Sequence, residues 1–539
     1  MSGGTIAEIL VKAFTTQGVR RIFGVPGGGS SLDVIEAAAA ADIDFVLTRT
    51  ECAAVMMAAV TAEISGTIGV ALMTKGPGTA SAVNGVAYAS LDRAPVIVLT
   101  DGFNSKEERY VTHQFFDQRA VLAPLTKGRT RLDGPEPAAE LRRLIDLAMR
   151  PPVGPVLIEL TAETARSRVP HSKGAEGVSN TSPILSSAAL EQAIRLLARA
   201  ARPVVILGLE AREAMATAAT RRFVQLLGCP VLATYKAKGV IEDRSSYYVG
   251  EFTGGAAEAD CVGVADLIIL IGLDPVELLR QPWRYNAPVI DIAAVKHPVH
   301  YLMPDSGLYG PLSVSIESLA KEARESDWKP EEIRKLRQNF RSALQYNASH
   351  GIGPQDVVEI ALEAATRLSR MPRVTVDAGA HMFSAIAFWP CEAPCDVLIS
   401  NGLATMAFAL PAAIAAALDD RERTVIAFTG DGGLFMCLGE LSTAVQQSVR
   451  IVVIVFNDES LSLIDIKQQQ RGLPTRGMRW ARPDFAAAMR GMGGRGYLAA
   501  SLSEYRVALA EALQGTGPAL IDVSVDPSGY SEQLKALRG

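Results

Sequence analysis

In 539 residues there are only six cysteines and six histidines, no large surplus of either charge, and no continuous apolar run of membrane length. Each scarcity excludes something. Cys52, Cys229, Cys261, Cys391, Cys395 and Cys437 form neither a disulfide framework nor two paired CxxC arms for zinc, so a cytoplasmic setting is expected. Cys391-x-x-x-Cys395 has no second ligand pair nearby and reads as two free thiols. With 53 basic against 58 acidic residues, the net charge of −5 leaves no electrostatic footprint for nucleic acid or an anionic membrane. The most apolar stretch, 402–418, is mostly Ala, contains Pro411 and falls short of the roughly 18 to 20 strongly apolar residues of a membrane span, so it reads as a buried helix. The opening residues lack the basic and apolar regions of a secretion signal; Thr5-x-x-Glu8 is a capping box opening an amphipathic helix, and secretion is not expected.

What the chain has in quantity is short apolar runs alternating with helical patterns, the signature of parallel sheets covered by helices. Strands are expected at 21–25, 43–47, 67–73, 95–100 and 154–160; at 203–208, 230–234, 265–272 and 288–292; and at 373–377, 396–400, 424–429, 451–456 and 518–524. The reading is an α/β protein with three doubly wound parallel-sheet domains, 1–170, 187–325 and 348–539, the middle one Rossmann-like. A Ser/Gly/Asn/Pro-rich linker is expected over 171–186 and a charged connecting helix over 322–347. The outer blocks are similar in size and pattern, as two related halves would be.

In the third block, the strand 424–429 runs into Gly430-Asp431-Gly432-Gly433 ahead of a helix. Glycines at a strand's carboxyl end let the backbone approach a phosphate, and a helix start supplies N–H donors. An acid there would repel the phosphate unless Asp431 holds a divalent cation. The next strand ends in Asn457-Asp458-Glu459-Ser460, a second set of oxygen ligands suited to Mg²⁺. Taken singly, each string also fits an ordinary turn.

Together, Gly430-Asp-Gly432, Glu440-Leu-Ser-Thr-Ala444 and Asn457-Asp458 resemble, in order and spacing, the signature of the thiamine-diphosphate enzyme family. The resemblance covers almost the whole chain and is closest to the acetolactate synthase and benzaldehyde lyase branch. It implies thiamine diphosphate and Mg²⁺ as cofactors, with Asp431, Asp458 (where the family has Asn) and the Ser460 carbonyl as metal ligands. Gly379, Ala380 and His381 of Asp377-Ala-Gly-Ala-His381, together with Gly430, Gly432, Gly433 and Asn457, would lie about the diphosphate. In Gly402-Leu-Ala-Thr-Met406, Met406 would prop the cofactor into its bent shape and the Ala404 carbonyl would accept from its 4′ amino group.

Such a cofactor needs a carboxyl group at its pyrimidine end. Arg49-Thr-Glu51-Cys-Ala-Ala54 matches the family context of that acid, although Glu51 alone would read as a solvated first-turn residue. Phe23-Gly-Val-Pro-Gly-Gly28 and Lys75-Gly-Pro-Gly78, which stand where the family has F-G-x-P-G-G and S-G-P-G, add Pro26, Gly27 and Gly78 to the cofactor set, and Asn84-Gly-Val-Ala-Tyr-Ala89 follows the second of them. Gln114 matches a catalytic Gln, whereas His113 replaces a Phe and is either a proton-transfer group or a structural loop residue.

Gly28, Leu463, Ile464 and Lys467 are the substrate-side candidates, Lys467 standing where acetolactate synthases carry a substrate-selecting Trp. That cation suggests a substrate other than pyruvate, or else a plain surface lysine. FAD is not expected, because Gly272-Leu-Asp-Pro275 replaces the Gly-x-Arg of flavin-binding relatives. The resemblance implies a homodimer or homotetramer with shared sites. The activity expected is carboligation or decarboxylation of 2-oxo acids; the runner-up is a lyase acting on 2-hydroxyketones or 2-hydroxyacyl thioesters. The other classes weighed are a non-catalytic regulatory paralogue, against which Glu51 argues, and a nicotinamide dehydrogenase, whose fingerprint is missing.

Overall fold

The computed structural model describes residues 4–169, 186–279 and 282–538. Apart from Ser186, the expected linker lies outside them. The first sheet contains β1 (Arg21–Val25), β2 (Asp44–Leu47), β3 (Gly69–Met73), β4 (Val96–Asp101), β5 (Arg129–Thr130) and β6 (Val156–Leu160). The central sheet contains β7 (Pro203–Leu207), β8 (Val231–Ala233), β9 (Tyr248–Glu251), β10 (Leu267–Ile271), β11 (Val289–Ala293) and β12 (Ser306–Tyr309). The third contains β13 (Arg373–Val376), β14 (Val397–Ile399), β15 (Val425–Gly430), β16 (Ile451–Asn457), β17 (Arg495–Ala499) and β18 (Ala519–Ser524).

The strand orders are β2-β1-β3-β4-β6-β5 and β14-β13-β15-β16-β18-β17 for the outer sheets. Counted within each domain, both read 2-1-3-4-6-5, so the outer halves share one topology. The central order, β12-β11-β10-β7-β8-β9, is the Rossmann order read from its far edge. Ladders within all three sheets are parallel, with helices between strands, as the alternating pattern implied. Four strands escaped the sequence reading: β5, β9, β12 and β17. Each lies at a sheet edge, where a strand pairs on one side only and its sequence need not be one continuous apolar run.

The connecting helix expected over 322–347 is shorter, Pro330–Ala343, and covers the central sheet, burying Ile333 and Phe340; the Phe340 ring lies against Gly250 in β9. The Ala-rich stretch forms a buried helix, Ala409–Asp419, packed on helix Glu51–Ser65 of the first domain. Small side chains on both helices allow that approach. No helix among the described residues is long and apolar enough to cross a membrane.

Buried charge ties the domains together. Glu63 and Asp92 of the first domain face Lys236 of the central one, whose Nζ lies 3.0 Å from Glu63 and 3.2 Å from Asp92. Arg212 adds a 3.0 Å ion pair to Glu63, and the Tyr88 hydroxyl donates to the same carboxylate at 2.7 Å. Burial works to raise the Glu63 carboxyl, but Lys236 and Arg212 overcome it and hold the group below its ordinary value. Asp92 also accepts the backbone N–H groups of Asn401 at 2.7 Å, Gly402 at 3.1 Å and Leu403 at 3.2 Å, so a first-domain carboxylate anchors a third-domain loop.

Lys236→Met leaves Glu63 and Asp92 buried with less positive charge, and stability should fall by about 3 kcal/mol, the scale for breaking a buried pair from one side. A urea unfolding midpoint equal to wild type would contradict this account of the domain junction.

Candidate active site

β15 and β16 are neighbours, with Gly430 opposite Phe456, so the two following turns emerge side by side at the carboxyl edge of the third sheet. This is beside the β13/β15 switch point, where open parallel sheets bind ligands. Asp431 begins helix Asp431–Cys437 and is buried; its Oδ1 accepts from the Gly432 N–H and its Oδ2 from the Glu459 N–H, both at 2.8 Å. Asp458 accepts from the Ser462 hydroxyl at 2.7 Å. Burial pushes the Asp431 carboxyl up to about 6, and burial together with the charge of Asp431 pushes Asp458 up to about 7.

Two desolvated acids in mutual repulsion, with the buried Ser460 hydroxyl unpartnered beside them, fit a small divalent cation held by oxygen. The Ser460 carbonyl suits the same set. The Leu461 N–H donates to the Met478 carbonyl and the Trp480 N–H to the Glu459 carbonyl, leaving the Ser460 carbonyl out of that bridge. Asn457 is placed differently: its amide donates to Asp522 of β18 at 2.8 Å, and its side-chain oxygen is buried without a partner.

The loop after β14 is held at both ends by carboxylates. Asp92 holds its start; at its end Asp377, buried behind β13, accepts from the Phe408 N–H at 2.8 Å, the Ala407 N–H at 3.1 Å and the Thr429 hydroxyl at 3.0 Å. Burial pushes the Asp377 carboxyl up to about 6. Between these anchors, Ala404 and Ala407 adopt positive φ, 54° and 66°, a conformation sustained only because the ends are fixed. The loop thereby brings Met406 to the GDGG turn: a Cβ on Gly432 would stand 3.3 Å from Met406 Cε and 3.3 Å from the Trp480 ring. Gly433 is obligatory, since a Cβ there would lie 2.0 Å from Asp377 Oδ2.

His381 is buried, stacked on Phe456 with ring centroids 5.1 Å apart, and lies beside Gly379 and Gly430. Burial pushes its imidazole down to about 3, so it is neutral at physiological pH; its Nε2 is buried without a partner. Ala380 packs with Tyr346 and Tyr530. Leu463 packs against the same group, which seats helix Ser462–Gln470, whereas Ile464 and Lys467 stand exposed three residues apart on its outer face.

In the first domain, Glu51 opens helix Glu51–Ser65 behind the N-cap Thr50, whose hydroxyl accepts from the Ala53 N–H at 3.2 Å. The Glu440-Leu-Ser-Thr-Ala444 motif meets it here. Glu440 Oε1 accepts the N–H groups of Arg49 at 2.9 Å and Thr50 at 3.0 Å, so a third-domain acid fixes the start of the Glu51 helix. Glu51 is half-buried, its Oε1 3.2 Å from where a Cβ of Gly78 would stand. In the Pro26–Gly28 turn, the Gly27 N–H donates to the Ser31 hydroxyl at 3.2 Å, and Ser31 is held in turn by Asp101 at the end of β4. Gly28 is exposed, with nothing within 4 Å of a would-be Cβ.

His113 and Gln114 lie on an exposed loop, Gln114 with φ 57°. Lys75, Gln114 and Phe115 line a cleft of about 190 Å³. Sequence reasoning missed two residues. Gln118 is a buried hub, accepting from the Thr79 hydroxyl and donating to Thr100, the Asp101 carbonyl and Glu159, all at 2.8–2.9 Å. Trp480 packs over Gly432 of the glycine-rich turn from a segment whose only mark in the sequence is one of four tryptophans.

Comparison with known proteins bears on the three domains. Three family models match in chain order: the thiamine pyrophosphate enzyme N-terminal TPP binding domain over residues 4–121, the central domain over 190–319, and the C-terminal TPP binding domain over 377–523. The chain is 30% identical to acetolactate synthase isozyme 3 large subunit of Escherichia coli (strain K12) over 554 residues, spanning 97% of this chain and 95% of the relative. It is 26% identical to acetolactate synthase of Bacillus subtilis (strain 168), over 98% and 94% of the two chains, and 27% identical to the catabolic acetolactate synthase of Raoultella terrigena, over 96% and 95%. Three matched domains in the family's order, and full-length similarity to these relatives, make the chain a member of the thiamine pyrophosphate enzyme family.

Proposed function

We propose that the protein joins two 2-oxo acids in an acetolactate-synthase-like carboligation that depends on thiamine diphosphate and Mg²⁺. The observation that carries this is the pair of mutually repelling carboxylates, buried Asp431 and half-buried Asp458, beside a loop that delivers Met406 to the same turn. When bound, thiamine diphosphate supplies a nucleophilic ring carbon that adds to a 2-oxo acid carbonyl and permits loss of CO2.

Asp431, Asp458 and the Ser460 carbonyl would hold the cation; Gly430, Gly432, Gly433, Gly379, Ala380 and His381 would surround the diphosphate, with Asn457 positioning the strand end. Met406 and the Ala404 carbonyl would support the middle of the cofactor. Glu51, with Pro26, Gly27 and Gly78, would meet the pyrimidine end and exchange a proton there. Gln114 and His113 would face the substrate, together with Gly28, Leu463, Ile464 and Lys467. The two ends would belong to different subunits of a homodimer or homotetramer. Exposed apolar side chains flanking both half-sites, Phe435 (46%) and Met436 (60%) after Asp431 and Leu47 (37%) before Glu51, support a partner surface there. A cytoplasmic setting fits the six free thiols.

No flavin is assigned. At the β7/β10 switch point Asp274 accepts from Nε and Nη2 of Arg93, at 2.6 and 3.2 Å, with Glu210 and His297 packed beside it. Acids and an ion pair there oppose an anionic dinucleotide.

Glu51→Gln should lower turnover of 2-oxo acids by roughly 10²- to 10⁴-fold while leaving calorimetric binding of thiamine diphosphate within a few-fold. Unchanged turnover would refute the proton-exchange role. The metal pair predicts a pH dependence. Both carboxyls titrate above their ordinary values, so the folded metal-free protein carries more protons than the unfolded chain between about pH 4 and 7 and loses stability as pH rises through that window. Mg²⁺ needs the ionised pair, so its affinity should rise over the same interval. Asp458→Asn should flatten both trends; titration calorimetry at several pH values showing equal slopes in variant and wild type would contradict the assignment.

A further inference from the structure

The turn between β3 and helix Pro77–Leu91 carries a cation that the site described above does not use. Lys75 stands three residues before Gly78, which lies against Glu51, and its ammonium sits 4.5 Å above the Phe103 ring. Among the described residues no carboxylate pairs with it. The cleft's acids are committed elsewhere: Glu159 to Arg131 at 2.6 Å and Arg119 at 3.6 Å, Glu108 to the same two arginines, and Asp117 to capping the Ala120 N–H at 2.9 Å.

The turn is also held firmly. Gly76 has φ 66°, its N–H donates to Gln118 at 3.3 Å, and a Cβ there would stand 2.4 Å from the Gln114 carbonyl oxygen. The backbone that carries Lys75 is therefore fixed next to Gln114, and the half-buried Lys75 sets its ammonium over an aromatic ring and lines the cleft. An ammonium so placed gains more from a carboxylate than from a ring face.

We propose that Lys75 is a specificity-determining residue that binds the carboxylate of the acceptor 2-oxo acid. This rests on the carboligase reading. The choice of acceptor over donor follows from charge. The donor's carboxylate leaves as CO2, so a cation paired with it stabilises the ground state more than the transition state and slows the step. The acceptor's carboxylate keeps its charge throughout, so pairing with it costs nothing in rate. The substrate class is then a 2-oxo acid acceptor in preference to an aldehyde.

The test compares pyruvate as donor with a 2-oxo acid or an aldehyde as acceptor, in the holoenzyme, reading ligated product. For Lys75→Met the ratio of kcat/KM for the 2-oxo acid to that for the aldehyde should fall by about 10- to 100-fold, expressed in the acceptor KM. Lys75→Arg should retain most of the discrimination, and Lys75→Gln should lose it. An unchanged ratio in Lys75→Met and Lys75→Gln, or equal loss in Lys75→Arg, overturns the proposal while leaving carboligation intact. A wild-type holoenzyme that releases no CO2 from any 2-oxo acid would overturn the carboligase reading itself, a result seen before any variant is made.

Discussion

Asp431 and Asp458 stand at the carboxyl ends of neighbouring parallel strands, the first buried and the second half-buried, and the second feels the charge of the first. Apolar burial could not create that arrangement and would ordinarily remove it, since an uncompensated buried carboxylate costs several kcal/mol. It persists because the sheet fixes where both strands end and because backbone N–H groups take part of the charge. The remainder would be met by a cation, and through it by an anionic ligand that could not otherwise approach two acids.

The same device, a buried carboxylate accepting backbone N–H groups, recurs wherever a loop of the site needs a fixed shape. Asp92 and Asp377 hold the two ends of the segment that carries Ala404 and Met406, and Glu440 holds the start of the helix that opens with Glu51. Asp92 and Glu440 do so across a domain boundary. Lys236 and Arg212 from the central domain neutralise the acids at the junction, so that domain serves as a counter-charge as well as a spacer. The shape of the site thus depends on three domains meeting in one register.

Much of the fold was legible in the sequence because strands in the middle of parallel sheets are buried on both faces and read as continuous apolar runs. The edge strands β5, β9, β12 and β17 were not, since they lack that signature. In the site, glycine-rich turns and acids at strand ends are local patterns visible in the sequence; that Met406 approaches Gly432 is a tertiary contact seen only in the structure. Gln118 and Trp480 could not be found in the same way: each acts through partners distant in sequence, and neither sits in a local motif. Asn457 shows the opposite limit. Its neighbour Asp458 feels the charge of Asp431, while its own amide is committed to Asp522, a partner 65 residues away that no spacing reveals.

The most direct test of this account is calorimetric titration of the full-length protein with thiamine diphosphate, in excess Mg²⁺ and after chelation, for wild type and Asp431→Asn. The account predicts one cofactor bound per chain with Mg²⁺ present, and a large loss of affinity on chelation or on removal of the Asp431 charge. Equal affinity in all four titrations would show that the paired carboxylates do not anchor the cofactor.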